Sequence, residues 1–541
     1  MTGTQENPFH EGERAAQERA GVGDVSAWAG GFIRDHLPSQ HRAFHTALPF
    51  LVLAGADGQG QVWATILDGA EGFITSPDAR HLTLATSVED ADPLAGRFAQ
   101  GGDIGGLGIE LASRRRNRFS GHIAPGAEGF TISMRQTFGN CPQYIHPRGL
   151  RRVTREPGEV ARNSVLSDAQ IALIERTDTL FIGSGHDGRE GAASNGYDAS
   201  HRGGAPGFVH VESPTRLLLP DYAGNNFFNT IGNLMADPRV GLLFVDFKSG
   251  GLLHLTGRAH IDWSPRDAHD PDAWRMIRID IEAVIERPAA LGLRWHALAG
   301  QARHLCLTRR VKEADHITSF YFAPLDDRPL APFAPGQHLP IAVQIPGQAG
   351  MTARSYSLSG DPADRSAYRL SIKREERGLM SRHLHDALWP GKVIEALPPA
   401  GEFGLPEGDE PVVLISAGVG LTPMLSMLHA LAGTGRPACY VHAAKNARER
   451  AMGAEVRALV TAHETLRSRV YFSEPTAEDR LGRDYDVEGV LTAEAVIALA
   501  GGNGAHFLLC GPPRFLSDIR SGLEQHGIAP GHIHFETFGP G

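Results

Sequence analysis

The chain has 541 residues, of which 41% are hydrophobic, and its formal net charge is −10 at pH 7. This length predicts roughly three or four domains with full cores, and the negative charge argues against a nucleic-acid binder. The four cysteines form no C-x-x-C pair, the N-terminal residues lack an apolar signal core, and no apolar run reaches membrane-spanning length; we therefore expect a soluble cytoplasmic protein with no zinc or plant-type iron–sulfur site.

Short strands separated by glycine-containing turns dominate the first half of the chain. Residues 1–24 form a polar lead-in, and a short helix is predicted over residues 27–37. The pairs GLGIEL…SGHI and GLLFVDF…TGRAHI match in kind and order, which predicts two copies of one antiparallel barrel, over residues 25–163 and 164–299. Residues 267–295 are predicted to be an amphipathic connector that closes the second copy.

Two segments of the second copy resemble the pyridoxamine 5'-phosphate oxidase-like split-barrel family. They are DASHRGGAPGFV (198–209) and DYAGNNFFNTIGNLMADPRVGLLFVDF (221–247), and QTFGNCPQYIHPR (136–148) is similar to a segment found in a branch of that family. The resemblance implies a six-stranded barrel that binds FMN between the subunits of a homodimer, a pairing that two copies in one chain can also form internally. The stretch from Phe228 to Asn233 lacks the cation that FMN-binding members offer to the phosphate. FMN in this half therefore stays open, with Arg202 or Arg80 as other sources of charge.

The run from Arg114 to Arg118 contains four arginines. We expect it to form a solvated hairpin edge, where charge discourages strand pairing; the alternative is an anion site for a phosphate or an acidic partner. Cys141 is expected to be an inert thiol. The scattered histidines His81, His122, His146, His201 and His254 show no i, i+4 pairing, so no metal site is predicted.

Strands also open the second half, and residues 300–405 are predicted to form a β-barrel. Its Arg354-Ser355-Tyr356-Ser357-Leu358-Ser359 run supplies a cation, a flat ring and hydroxyls, which is the set that a flavin nucleotide needs. The following helical segment, MSRHLHDAL, is opened by Gly378. Ser381 lies at its start, where a hydroxyl and free N–H groups either meet a phosphate or form an ordinary cap.

Residues 406–541 change to βαβ alternation, which predicts a doubly wound parallel sheet. The continuous apolar run PVVLISAG is typical of a buried parallel strand and leads into GVGLTP. Gly418 and Gly420 let the backbone approach a pyrophosphate at the start of a helix, and Pro423 in its first turn loses no needed N–H.

The motifs RSYSLSG, SIKREERGLMSRHLH, PPAGEF, VVLISAGVGLTPMLSML, HFLLCGPPRF and HFETFGP resemble the reductase half of flavohaemoglobins, in the ferredoxin-NADP reductase superfamily. The resemblance covers residues 300–541. We expect the barrels to take the place of the globin domain, and we expect no ferredoxin domain. The resemblance implies FAD and NADH or NADPH as cofactors. The implied cofactor-binding residues are Arg354, Tyr356, Ser357, Gly378, Leu379, Met380, Ser381, Gly418, Gly420, Thr422, Pro423, Cys510, Gly511, Pro512 and Phe538.

The same resemblance implies which residues lie at the reacting rings. Tyr356 would lie along the isoalloxazine and Ser357 would sit by its N5, while Cys510 would face the nicotinamide. Glu536 and Phe538 would lie at the other edge of the flavin, near the hydride path. NADH is preferred over NADPH, although Lys445, Arg448 and Arg450 follow the second strand of the last domain, where a 2'-phosphate would bind.

The sequence thus predicts an NAD(P)H-dependent flavoprotein oxidoreductase. Its electrons would go to an acceptor at the N-terminal barrels, either FMN or a small molecule, or to an external acceptor such as a redox protein. The alternative makes the N-terminal half a non-catalytic module that binds a ligand or docks the reductase to an electron-transfer protein. A true pyridoxamine phosphate oxidase is disfavoured, because such an enzyme re-oxidises its FMN with dioxygen and needs no reductase.

Overall fold

The computed structural model describes residues 7–23, 25–29, 32–140, 144–186, 192–222, 224–265, 273–297, 302–326, 328–346, 351–376, 378–501 and 504–537. The chain divides into two compact units, Met1–Leu298 and Ala299–Gly541. Within the described ranges, no helix is both long enough and apolar enough to cross a membrane.

The first sheet of the N-terminal unit is antiparallel. Its strands are β1 Phe50–Ala56, β2 Val62–Asp68, β3 Ile74–Thr75, β4 His81–Leu84, β5 Gly102–Glu110, β6 Arg115–Gly126 and β7 Gly129–Asn140. They lie in the order β2-β1-β5-β6-β7-β4-β3. The helices of this part are α1 Glu11–Arg19, α2 Ser26–Ala29, α3 Ser39–Ala47 and α4 Ala95–Gln100.

The second sheet follows after two short strands, β8 Arg148–Arg152 and β9 Ala161–Asn163. Its elements are α5 Asp168–Glu175, β10 Thr179–His186, β11 Gly196–Gly203, β12 His210–Ser213, β13 Arg216–Asp221, α6 Asn229–Ala236, β14 Arg239–Asp246, β15 Gly251–Asp262 and β16 Arg275–Arg287. The strand order is β11-β10-β14-β15-β16-β13-β12, with β9 paired to β16. Strand β17, Leu293–Ala297, pairs with β8.

The two sheets have the same connectivity, strand for strand. Each also carries a β-bulge at the same place, on β7 opposite Ser120 and Gly121 of β6 and on β16 opposite Thr256 and Gly257 of β15. Glycine is required at both bulges, because a Cβ would lie 2.2 Å from the Ser133 carbonyl oxygen in the first and 2.1 Å from that of Asp280 in the second. A buried apolar layer joins the sheets face to face. The identity of these sheets as split barrels stays a prediction.

Three local predictions in this unit were wrong. Residues 275–287 are not part of a connector but form β16, because Ile277, Ile279 and Ile281 alternate into the core with the period of a strand. The polar lead-in contains α1, which packs against α6 and buries Ala16 in the core of the second sheet. The helix expected over residues 27–37 covers only Ser26–Ala29. Ser167 caps α5, accepting a hydrogen bond from the Gln170 N–H.

The C-terminal unit begins with the predicted FAD-binding barrel. Its elements are β18 Arg303–Lys312, β19 Ile317–Pro324, β20 His338–Gln344, β21 Met351–Ser357, β22 Tyr368–Lys373, α7 Leu379–Ala387 and β23 Val393–Ala396. The antiparallel order is β21-β20-β23-β18-β19-β22. A bridge between Leu358 and Leu370 joins the two ends of this order, so the sheet closes around one apolar core.

The predicted parallel α/β domain follows. Its elements are β24 Val412–Ala417, a 3-10 turn Gly418–Gly420, α8 Leu421–Leu431, β25 Ala438–Ala444, α9 Gly453–Ala462, β26 Leu466–Phe472, β27 Val487–Glu488, α10 Ala493–Ala500, β28 His506–Gly511, α11 Pro513–Gln525, a 3-10 turn Pro530–His532 and β29 Ile533–Thr537. All strands of the order β27-β26-β25-β24-β28-β29 are parallel. Their carboxyl ends therefore meet at one edge, where ligands bind in open α/β sheets.

Candidate functional site

The R-S-Y-S segment occupies the end of β21, an outer strand of the barrel sheet. Tyr356 pairs with Leu339 of β20 and its ring packs against the barrel core. Burial raises the pKa of the Tyr356 phenol, against the opposing charge of Arg354. Ser357 is buried, and the buried Ser355 hydroxyl has no hydrogen-bond partner among the described residues. An unsatisfied buried hydroxyl of this kind is expected where a ligand supplies the missing partner.

Hydrogen bonds within the loop before α7 limit which groups at the N-terminus of this helix can bind a phosphate. Gly378 is the N-cap, and Leu379, Met380 and Ser381 form the first turn. The Ser381 hydroxyl accepts a hydrogen bond from the Glu375 N–H at 3.2 Å and donates to the Gly378 carbonyl at 3.3 Å. Because this hydroxyl is used within the loop, a phosphate here would be bound by the backbone N–H groups of the first turn.

The glycine turn after β24 lies between the barrel and the parallel sheet. Gly418 has a φ of 54°, and no atom lies within 4 Å of the position that a Cβ would take. A Cβ on Gly420 would lie 2.2 Å from the Cys510 carbonyl oxygen, so this glycine allows the turn to pack directly on β28. Thr422 and Pro423 occupy the first turn of α8, and the glycine turn contacts β22 of the barrel.

Cys510 and Glu536 are side by side at the carboxyl ends of β28 and β29. In the sheet register, Ser416 pairs with Cys510, and Cys510 pairs with Glu536. Burial raises the pKa of the Glu536 carboxyl to about 8, and its Oε2 is buried without a hydrogen-bond partner in the described part of the chain. Burial and the neighbouring Glu536 raise the pKa of the Cys510 thiol well above its usual value. At neutral pH both groups are therefore protonated and uncharged.

Two more of the predicted residues lie where β28 ends and α11 begins. Gly511 ends β28, and Pro512 is the N-cap of α11. Phe538 lies outside the described residues, so its predicted role is untested. The orphaned oxygens of Ser355 and Glu536, the open position at Gly418 and the N–H groups of α7 together suit a flavin and a nicotinamide dinucleotide.

Family comparisons agree with this geometry. Residues 305–404 match the oxidoreductase FAD-binding domain family, and residues 414–521 match the oxidoreductase NAD-binding domain family. The C-terminal unit is an NAD(P)H-dependent FAD oxidoreductase. The cofactors of this reductase unit are FAD and a nicotinamide dinucleotide.

Curated relatives of the reductase unit are flavohemoproteins. The one from Bacillus cereus is 38% identical over 246 residues, which is 44% of this chain and 61% of the relative. The one from Deinococcus radiodurans is 39% identical over 236 residues, or 43% of this chain and 58% of the relative. The solved flavohem-like FAD/NAD-binding domain of nitric oxide dioxygenase from Vibrio cholerae is 31% identical, with a TM-score of 0.39, and the match covers 44% of this chain and 99% of that domain. The chain thus spans about three fifths of the flavohemoproteins' length.

The reductase unit also contains an ion-pair network that was not predicted from the sequence. Arg369 of β22 donates two hydrogen bonds to Glu455 of α9, at 2.8 and 2.9 Å, and His429 of α8 lies 2.6 Å from the same carboxylate. Burial alone would raise the pKa of Glu455, but the hydrogen bonds from His429 and Arg369 lower it to about 2. The signal was present in YRLSIK, where a cation lies within an otherwise buried strand. The network ties the FAD barrel to the nucleotide domain.

In the N-terminal unit, the arginine run is not a solvated edge, and that prediction was wrong. Arg114, Arg116 and Arg118 are buried, each at most 9% exposed. Arg116 and Arg118 alternate onto one face of β6, and β11 of the second sheet covers that face, with Arg116 donating to His201 and Arg118 3.6 Å from Asp198. Cys141 lies outside the described residues, and the described residues contain no group of three or more His, Cys, Asp or Glu that could hold a metal ion.

The stretch from Phe228 to Asn233 forms the start of α6, and two of its polar side chains, Thr230 and Asn233, are used internally. The Thr230 hydroxyl donates to Ser200 at 3.1 Å, and the Asn233 amide donates to Ser184 at 3.1 Å. Of the other proposed sources of charge, Arg202 pairs with Asp221, and Arg80 pairs at the surface with Asp35.

Proposed function

We propose that the reductase unit takes reducing equivalents from NADH and delivers them to an acceptor bound at the N-terminal unit or to an external acceptor. The observation that carries this proposal is the convergence of the glycine turn, Cys510 and Glu536 at one edge of the parallel sheet, next to the flavin barrel. When bound, FAD accepts a hydride from the nicotinamide and releases electrons singly or in pairs.

The chain's own part in this reaction is binding, orientation and control of charge. Arg354 and the first turn of α7 would hold the FAD phosphates, and Tyr356 and Ser357 would orient the ring. Cys510 and protonated Glu536 would give the nicotinamide an uncharged surface to pack against. The Glu536 Oε2 can donate a hydrogen bond, because at neutral pH its carboxyl keeps its proton.

Charge at the ends of β25 and β26 supports NADH as the coenzyme. Lys445 lies 3.6 Å from Glu474, and Arg448 lies 3.6 Å from Glu478. These carboxylates offset the cations that a 2'-phosphate would need, whereas a carboxylate in this region suits a ribose 2'-hydroxyl.

The flavin content of the purified full-length protein tests where the electrons go. FAD together with FMN would support an acceptor flavin in the N-terminal unit. FAD alone would favour the second candidate, a non-catalytic binding module. Thr230 and Asn233 at the start of α6 are satisfied within the fold, which supports that second candidate. Absence of FAD would contradict the proposal as a whole.

The scattered cysteines favour a reducing compartment, so the cytoplasm is part of the proposal. We further propose that the two packed sheets of the N-terminal unit take the place of a homodimer interface.

A further inference from the structure

Hydrogen bonds connect the flavin-binding segment of the barrel to Arg369 of β22. The Ser359 backbone N–H donates to the Arg369 carbonyl at 3.0 Å, and the Arg369 Nη2 donates to the Ser359 carbonyl. Ser359 is the last residue of the run from 354 to 359, which also contains Tyr356 and Ser357. Arg369 is therefore bonded directly to the segment whose proposed role is to orient the flavin ring.

The guanidinium of Arg369 also reaches the nucleotide domain. Its Nη1 and Nη2 donate to the Glu455 carboxylate of α9 at 2.8 and 2.9 Å, and the His429 Nε2 of α8 lies 2.6 Å from the same carboxylate. Helix α8 begins directly after the Gly418–Gly420 turn, where the backbone would approach a bound dinucleotide. Three side chains therefore connect the flavin segment with the helix that begins at the nucleotide turn.

Other contacts hold the barrel and the nucleotide domain together. Ile317 of β19 and Phe403 pack in the apolar core of the nucleotide domain. The Asp315 backbone N–H, in the turn before β19, donates to the Arg448 carbonyl at 3.0 Å. Apolar burial is non-directional, so these contacts keep the two domains associated but constrain their relative orientation only weakly.

The ion pair between Arg369 and Glu455 has the geometry that fixes an orientation. A guanidinium bound to a carboxylate through two parallel hydrogen bonds constrains direction as well as distance. The Arg369 side chain is 9% exposed, so little water is available to replace the carboxylate. A buried ion pair is weak evidence for a purely stabilising role, because apolar side chains of similar volume often stabilise a fold as well.

We infer that Arg369, Glu455 and His429 are positioning residues for hydride transfer. They fix the orientation of the nucleotide domain on the flavin barrel, and thereby the distance between the nicotinamide C4 and the flavin N5. The inference rests on the proposed function, in which NADH is oxidised to NAD+ as its hydride, with the electron pair, reduces FAD. A displacement of about 1 Å slows such a step by about 100-fold.

Anaerobic rapid mixing of the FAD-loaded full-length protein with NADH tests these residues. The measured quantities are the limiting rate constant of flavin reduction and the apparent Kd for NADH. We expect the rate constant to fall by about tenfold or more in Arg369→Lys and Glu455→Gln, while the Kd changes by less than about twofold. Arg369→Lys keeps the charge but loses the two parallel hydrogen bonds. Glu464→Gln, at an exposed position next to the end of α9, should react as the wild type does.

Three further readouts separate positioning from general damage to the fold. The FAD content and the midpoint potential of the bound FAD should stay at the wild-type values in both variants. The primary isotope effect with NADH deuterated at C4 should be at least as large as in the wild type, because hydride transfer is the step that slows. The double variant should be no slower than the slower single variant, because both substitutions remove the same constraint.

If Arg369→Lys and Glu455→Gln fail to fold, His429→Gln decides alone, because the His429 side chain is 16% exposed and lies at the end of the network; its rate constant should fall by about threefold or more. The inference is overturned if the folded variants reduce their flavin at the wild-type rate, or if the slower rate is accompanied by a changed midpoint potential. Equal rates in wild type and variants contradict the inference alone, whereas a wild type whose flavin NADH does not reduce contradicts the proposed function as well.

Discussion

Replacing Glu455 with Gln removes the carboxylate that ties α9 to Arg369 on the flavin barrel. The pKa of Glu455 is about 2 instead of 4.5, and this difference corresponds to about 3 kcal/mol of stability at pH 7. The Arg369 side chain is 9% exposed and that of Glu455 is 29% exposed. Solvent screening at the partly exposed partner reduces the expected loss to about 2 kcal/mol. Without its partner, the buried guanidinium retains a hydrogen bond to the Ser359 carbonyl.

The stability lost in Glu455→Gln should become smaller as pH falls. A carboxyl with a lowered folded-state pKa stabilises the fold above its unfolded-state value and loses that contribution as pH falls towards the folded-state value. The difference between wild type and Glu455→Gln should therefore be full at pH 7 and shrink as pH falls from 4.5 towards about 2.

Urea unfolding of the FAD-loaded protein, followed by release of flavin fluorescence, measures this difference within the reductase unit. Glu464→Gln is the matched control, because Glu464 is exposed next to the end of α9. The reasoning is refuted if Glu455→Gln unfolds at the same urea concentration as the control. A loss that stays constant between pH 7 and pH 3 would refute the assigned ion pair.

Three further outcomes follow from the same geometry. Glu536→Gln should be more stable than wild type above pH 8. The folded-state pKa of Glu536 is raised from 4.5 to about 8, so the wild-type fold loses stability as pH rises through that interval. Thermal unfolding across this pH range measures the difference. Gly420→Ala should lower kcat/KM for NADH at least tenfold, because the added Cβ would lie 2.2 Å from the Cys510 carbonyl; steady-state kinetics with saturating acceptor measure it. Glu474→Lys should raise kcat/KM for NADPH relative to NADH by about tenfold, the equivalent of about 1.4 kcal/mol, because it frees Lys445 and adds a cation; an unchanged ratio would contradict the assignment of this region.

Most of the reductase unit was predictable because its function constrains the residues locally. A glycine turn after a buried parallel strand, with Gly418 at positive φ, is what a close approach of the backbone to a nucleotide would require, and such a requirement is visible in a short motif. The direct pairing of Cys510 with Glu536 was not predicted, since parallel register between distant strands leaves no local signal.

The N-terminal unit was harder because its chemistry lies between elements. Residues 275–287 alternate polar and apolar side chains. The sequence alone does not show that β15 and β13 pair on either side of this segment, so the pattern is also compatible with a connector. The arginines of β6 look like a surface run in sequence, and only the packing of the second sheet against β6 buries Arg116 and Arg118. Matching motifs did indicate two copies, because the bulge glycines Gly121 and Gly257 belong to the repeated segments SGHI and TGRAHI.

Anaerobic rapid mixing of the full-length protein with NADH tests the account most directly. Flavin extracted from the same preparation gives the identity and amount of the cofactor. The account predicts one FAD per chain and rapid loss of the oxidised-flavin absorbance, faster with NADH than with NADPH. A preparation reconstituted with FAD that retains no flavin, or whose flavin stays oxidised with both coenzymes, would contradict it.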